Sequence, residues 1–227
     1  MAGPPRPLRP VIFDAYGTLF DPFALAEPLE RRFPGRGHEL ALHWRTTQLR
    51  HTWLRSLMGT WVDFDVVTAG ALAQTLAAAG LAADHALASD LMAAYRTLPP
   101  YPEVAIALAL LEVGRPRAIL TNGRRATVEA TVRAAGLAEE LPIVISVDEA
   151  RIYKPAPAVY ALATARFGIA PQDITFVSGN AWDCAGAGNF GFRVVWVRRD
   201  AAAEELVGPR PAATIDDLTG LRAALGE

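Results

Sequence analysis

Hydrophobic positions along the chain follow two periods. Short apolar runs recur at VIFD (11–14), AILTN (118–122), IVISV (143–147), ITFVS (174–178) and RVVWV (193–197). After the second run, each is separated from the next by helix-spaced sequence. This alternation predicts parallel strands joined by crossover helices, an α/β fold. Between the strands, EVAIALALLEVG, RRATVEATVRAAG and APAVYALATARFG read as helices stopped by Gly114, Gly136 and Gly168, and the last is entered through Pro157.

One interval breaks the rhythm. From Asp21 to Pro99 the pattern is helical throughout. HELALHWRTTQLRHTWLRSLM (38–58) brings Leu40, Trp44, Leu49, Trp53 and Leu57 near one helical face. FDVVTAGALAQTLAAAG follows and stops at Gly80, and ADHALASDLMAAYRTL stops at PPYP. A helical unit inserted after the first strand would stand over the carboxyl edge of the sheet, where ligands bind in open α/β folds. The expected organisation is a core of residues 1–21 and 97–227 with an all-helical cap of residues 22–96. No internal repeat is visible, and low complexity is confined to the proline-rich start.

Composition narrows the partners. With 227 residues and 52% hydrophobic content, the chain has material for one sizeable core. A formal net charge of −2 with no basic block argues against a nucleic-acid or anionic membrane surface, which leaves a small-molecule ligand. Cys184 is the one cysteine, so neither an internal disulfide nor a cysteine metal cluster can form. MAGPPRPLRP lacks the apolar run of a signal peptide, and no segment reaches the roughly 18 apolar residues of a membrane span. These features predict a soluble, cytoplasmic protein.

The predicted strands end in reactive side chains. Asp14 and Thr18 follow the first, Thr121 and Asn122 the second, and SGNAWD (178–183) the fourth, while RIYKPAP after the third adds Lys154. Singly, such residues cap helices or make turns. Together they converge on one sheet edge. The set FDAYGTLFD, WRTTQL, TWLRSLM, ILTNG, YKPAP..Y and SGNAWD resembles the haloacid-dehalogenase superfamily over nearly the whole chain. Within it the set is most similar to the (S)-2-haloacid dehalogenases, with their Rossmann-like parallel sheet, flanking helices and helical cap after the first strand.

Tyr16 separates two chemistries. Superfamily phosphatases carry a second aspartate there as general acid, beside a Mg²⁺ ion. A phenol with a pKa of about 10 is poorly suited to that task at neutral pH. A departing halide needs no proton, only donors aimed at its growing charge.

The resemblance implies hydrolysis of (S)-2-haloalkanoic acids to (R)-2-hydroxyalkanoic acids without metal or cofactor. Asp14 is the implied nucleophile, forming an ester at C2 with inversion. Asp183, with Asn180, activates the water that attacks that ester. Thr18 and Ser178 orient the carboxylates, and Lys154 places positive charge beside the nucleophile. Arg45 and Asn122 cradle the halide. Thr121 and the backbone amides from Ala15 onward receive the substrate carboxylate, and Tyr160 stands near the lysine. Tyr16, Leu49, Phe64 and Trp182 wall the alkyl chain, although aromatics at such spacing also suit plain core.

Thr121 and Gly179 depart from the serines usual in the group, which bears on substrate range. A Mg²⁺-dependent phosphatase and a non-catalytic metabolite-binding descendant are the alternative readings. GAGNFG (186–191) fits a dinucleotide pattern but lies too far past its strand and reads as close packing and a helix stop. The four histidines lack metal spacing. Surplus apolar residues on the helix 38–58, Trp44, Trp53, Leu54 and Leu57, predict a homodimer surface.

Overall fold

The computed structural model describes residues 8–81, 85–199 and 207–226. The start of the proline-rich segment, and Ala83 and Asp84 at the start of the stretch expected to form the last helix before PPYP, lie outside them. Strand β1 (Val11–Phe13) is followed by helices α1 (Ala26–Arg32), α2 (Gly37–Met58), α3 (Phe64–Ala78) and α4 (His85–Tyr95). Then come α5 (Val104–Ala109), β2 (Arg117–Thr121), α6 (Arg125–Ala134), β3 (Val144–Ser146), α7 (Pro157–Phe167), β4 (Thr175–Ser178), α8 (Ala181–Phe190), β5 (Arg193–Val197), β6 (Ala213–Ile215) and α9 (Leu221–Leu225).

The sheet is parallel throughout, in the order β3-β2-β1-β4-β5-β6. Val11, Ile12 and Phe13 are fully buried, as central parallel strands require with helices on both faces. The chain steps from β1 to β2 and β3 on one side, then crosses to β4 on the other. That reversal opens a crevice at the carboxyl ends of β1 and β4. Phe13 is in register with Val177, and Asp14 adds one more bond, its N–H donating to the Val177 carbonyl at 2.9 Å. Asp14 therefore stands at the last rung of the switch point.

The helical interval between β1 and β2 contains no strand among the described residues. Asp63 caps α3 by accepting the Val66 N–H at 3.1 Å, and Gly59 ends α2 in the left-handed region that glycine adopts without strain. Trp44, buried on α2, donates its indole N–H to the Thr68 carbonyl of α3 at 2.9 Å. The chain leaves and re-enters the core side by side: Asp21 N–H donates to Pro99 O at 3.0 Å, and Tyr101 N–H to Leu19 O at 2.9 Å.

Three expectations need correction. A sixth strand, Ala213–Ile215, was not visible in the pattern, because a three-residue edge strand with a half-exposed face carries no apolar run. Helix α5 ends at Ala109 rather than continuing toward Gly114, and the apolar Leu110 and Val113 that extended the pattern are exposed. On α2, Leu40 and Trp44 are buried and Leu49 and Trp53 half-buried, but Leu57 is 84% exposed, so the inner face fades toward the C-terminus.

Candidate active site

The carboxyl ends of β1, β2 and β4 and the loop before α7 bring Asp14, Lys154, Ser178 and Asp183 into one buried cluster. Lys154 is wholly buried and uses all three of its protons. Its Nζ donates to Asp14 Oδ1 at 3.0 Å, to Asp183 Oδ2 at 2.8 Å and to the Leu120 carbonyl at 2.6 Å. Burial alone would lower the lysine pKa, but the two carboxylates outweigh it and hold it above the ordinary value.

Asp14 is 5% exposed. Its Oδ2 accepts from Thr18 Oγ1 at 3.0 Å and from Asn180 Nδ2 at 2.8 Å. Asn180 sits at the N-cap of α8, yet its side chain makes no capping bond. It turns instead to Asp14 and, at 3.0 Å, to the Tyr16 carbonyl. Thr18 is also set from below, its hydroxyl accepting the Gly179 N–H at 2.8 Å. Gly179 and Gly17 meet so closely that a Cβ on Gly179 would stand 2.1 Å from the Gly17 carbonyl oxygen. Glycine in place of the usual serine is thus a packing requirement of this backbone.

Asp183, in the first turn of α8, is completely buried. Ser178 Oγ and Lys154 donate to its Oδ2 at 3.3 and 2.8 Å, and Tyr160 donates to its Oδ1 at 2.7 Å. Burial pushes its pKa up to about 6, against the pull of Lys154 and with the help of Asp14's charge. The site therefore holds a carboxylate poised just below neutral pH.

Above the cluster is a cleft of about 290 Å³, lined among others by Arg45, Leu49, Asn180, Trp182 and Arg199. Arg45 reaches down from α2, donating to Gln48 Oε1 at 2.9 Å and to the Tyr16 carbonyl at 3.3 Å. The Tyr16 carbonyl thus joins Arg45 to Asn180. Trp182 packs edge-on against Trp53 at 5.7 Å.

Other predicted residues do not line this cleft but are buried beneath and beside it. Tyr16 and Phe64 are buried and stacked at 6.0 Å, and burial holds the Tyr16 phenol well above its usual pKa, so it stays protonated. Tyr160 lies behind Asp183 rather than against the cleft. Thr121 is buried with its hydroxyl accepting the Gly123 N–H at 2.9 Å. Asn122 accepts the Lys154 N–H at 2.9 Å through Oδ1, while its Nδ2 is a buried donor with no protein partner. Ala15 is buried, and its carbonyl accepts from Leu19 and Phe20 N–H at 2.9 and 3.0 Å. Gly186, the first glycine after the helix start in GAGNFG's run, lets α8 approach Tyr160: a Cβ there would be 2.4 Å from the phenol oxygen.

Sequence reasoning missed Gln48, Arg199 and Tyr153. Gln48 holds Arg45 while donating to Thr68 Oγ1 at 2.7 Å and Tyr95 Oη at 3.1 Å. Tyr153 fastens the helical unit to the Lys154 loop, its N–H donating to Ser56 Oγ at 3.1 Å and its hydroxyl to the Val62 carbonyl at 2.7 Å. Extending the strand-end argument to β5 would have reached Arg199, whereas nothing in the pattern marks Gln48.

A family model for haloacid dehalogenase-like hydrolases matches residues 9–191. The chain belongs to the haloacid dehalogenase-like hydrolases. Within the family it is 45% identical over 219 residues to an (S)-2-haloacid dehalogenase of Xanthobacter autotrophicus, covering 95% of this chain and 85% of that one. It is 40% identical to the haloacetate dehalogenase H-2 of a Moraxella strain, over 92% of this chain and 94% of the relative. Among solved structures, the L-2-haloacid dehalogenase of Xanthobacter autotrophicus with chloropropionic acid covalently bound superposes with a TM-score of 0.91. That pair shares 38% identity, over 96% of this chain and 98% of the other.

Among the described residues no helix is long and apolar enough to cross a membrane, and no group of three or more His, Cys, Asp or Glu is arranged to hold a metal ion.

Proposed function

We propose that this chain hydrolyses (S)-2-haloalkanoic acids to (R)-2-hydroxyalkanoic acids and halide, through an ester on Asp14. The observation that carries this is a buried carboxylate gripped by Lys154, Thr18 and Asn180, with a permanently protonated Tyr16 where a phosphatase keeps its general acid.

Asp14 attacks C2 in line with the carbon–halogen bond, and the halide leaves with the bonding pair as that carbon inverts. The Asn122 amide, a buried donor still lacking a partner, and Arg45 meet the departing charge. Gly17, Leu19 and Phe20 spend their N–H groups inside the loop. That leaves the head of the loop, from Ala15, to receive the substrate carboxylate together with Thr121. Leu49 and Trp182 flank the alkyl chain, with Tyr16 and Phe64 packed deeper. Asn180 then positions water against the Asp14 carboxyl carbon and Asp183 takes one of its protons. The departing alkoxide is protonated as the C–O bond to Asp14 breaks, which releases the hydroxy acid and restores the Asp14 carboxylate, with one proton passing to solvent.

The reaction is metal-independent on this reading. Lys154 Nζ bridges the two carboxylates at 3.0 and 2.8 Å, so a lysine already supplies their counter-charge. Residues 22–96 act as the cap over a core of 1–21 and 97–227, supported by the paired linkers and by Arg45 reaching the nucleophile loop. Of the four residues expected on a dimer surface, Trp44 is buried against α3 and Trp53 packs on Trp182, which leaves Leu54 and Leu57, with Met58, exposed at the end of α2 for a second copy to cover; a monomeric mass by light scattering overturns that. A single cysteine, buried, suits a cytoplasmic setting.

The deciding assay is halide release from racemic 2-chloropropionate in EDTA, comparing wild type with Asp14→Asn and following the chirality of the unreacted acid. Consumption of the (S) form alone, formation of (R)-lactate and loss in the mutant are expected. No release, with Mg²⁺-dependent cleavage of a phosphate ester instead, overturns the proposal.

A further inference from the structure

Arg199 stands two residues past β5 and takes no part in the steps above, yet it is bound on three sides. Its Nη2 donates to the Thr18 carbonyl at 2.7 Å. The same nitrogen pairs with Glu103 Oε1 at 2.8 Å, both side chains being less than one-fifth exposed. Its guanidinium carbon lies 3.6 Å from the Tyr101 ring centroid, a cation–π stack. Thr18 belongs to the nucleophile loop and holds Asp14 through its hydroxyl. Tyr101 and Glu103 belong to the segment by which the chain returns from the helical interval, next to the paired linkers.

We propose that Arg199 is a positioning residue that clamps the nucleophile loop to this return linker. The Thr18 to Asp14 bond is then set by where the helical unit stands. A planar guanidinium suits the task, because one group can stack on a ring while its edge donates to a carbonyl and faces a carboxylate. Thr18 is held at its hydroxyl by Gly179, at its carbonyl by Arg199, and directs its proton to Asp14. Removing Arg199 frees the carbonyl side and lets the nucleophile drift from its in-line position.

The kinetic half of this inference rests on the proposed dehalogenation. Its test uses the full chain as wild type, Arg199→Met and Arg199→Lys, with kcat and KM for (S)-2-chloropropionate measured separately by halide release. Amide exchange by mass spectrometry over residues 15–20 and 99–103 is measured alongside. Arg199→Met is expected to lower kcat by about 10- to 100-fold, the scale of a small misplacement of reacting groups, with KM close to wild type. Exchange in both segments should quicken together while β2 and β3 are unchanged, and Arg199→Lys should recover part of the rate. A lowered melting temperature with kcat intact, or exchange unchanged in the two segments, overturns the clamp. If wild type releases no halide, the dehalogenation reading falls, and the exchange data still decide whether Arg199 joins the two segments.

Discussion

Tyr160→Phe isolates one hydrogen bond. The phenol donates to Asp183 Oδ1 at 2.7 Å in a place with no exposure, and this bond favours the ionised carboxylate. A hydrogen bond to a charged group is worth about 1.5–3 kcal/mol, and 1.36 kcal/mol corresponds to about one pKa unit. Taking the lower end, because Lys154 and Ser178 still hold Oδ2, the change raises the Asp183 pKa by about one unit. Wild-type activity should fall as pH drops through about 6, where Asp183 takes up a proton and ceases to be a base. In the variant that acid limb should lie about one unit higher, with rates converging toward wild type at alkaline pH.

Stability follows the same sign. The variant's native state binds the Asp183 proton more tightly, so its deficit against wild type is present where the carboxylate is ionised. It shrinks as pH falls through the variant's raised value, about one unit above wild type, and is largely gone below about 6. Halide release from pH 4.5 to 9, with melting curves at both ends, reads both effects. An acid limb that does not move, with a rate loss equal at every pH, would refute the reasoning and leave Tyr160 as packing alone.

Two further changes test the packing around the nucleophile. Gly179→Ser introduces a Cβ where only 2.1 Å separates it from the Gly17 carbonyl, so it should lower unfolding free energy in urea by about 1–3 kcal/mol, as overpacking does; unchanged stability would show that the two loops can part freely. Tyr16→Phe removes a buried hydroxyl that has no hydrogen-bond partner and should raise the melting temperature by roughly 2–4 °C, the equivalent of about 1 kcal/mol; a fall would mean that the phenol is satisfied in solution.

The positions of five strands along the chain and the chemistry at their ends were legible in the sequence because both are local. A buried parallel strand is a short apolar run, and a polar residue that terminates it must lie at the sheet edge. Asp14, Thr18, Ser178 and Asp183 were found on that ground, and the resemblance supplied Arg45 and Tyr16's meaning. Edge strand Ala213–Ile215 escaped because it pairs with one strand only and buries little. The length of α5 escaped because its apolar residues exceed what the core covers.

Partnerships were decided only by the folded chain. Nothing in the spacing of Tyr160 says that its hydroxyl serves Asp183 rather than the cleft, and nothing in RRD at the end of β5 says that Arg199 spans to Thr18 and Glu103. Lys154 lies 140 residues from Asp14 in the chain, yet its ammonium is shared between two carboxylates within 3.0 Å. Sequence determined which groups are present and at which edge they emerge, since apolar burial dictates where each strand stops. Tertiary packing determined which proton goes to which oxygen, since buried donors must find acceptors and the nearest are contributed by segments far apart in the chain.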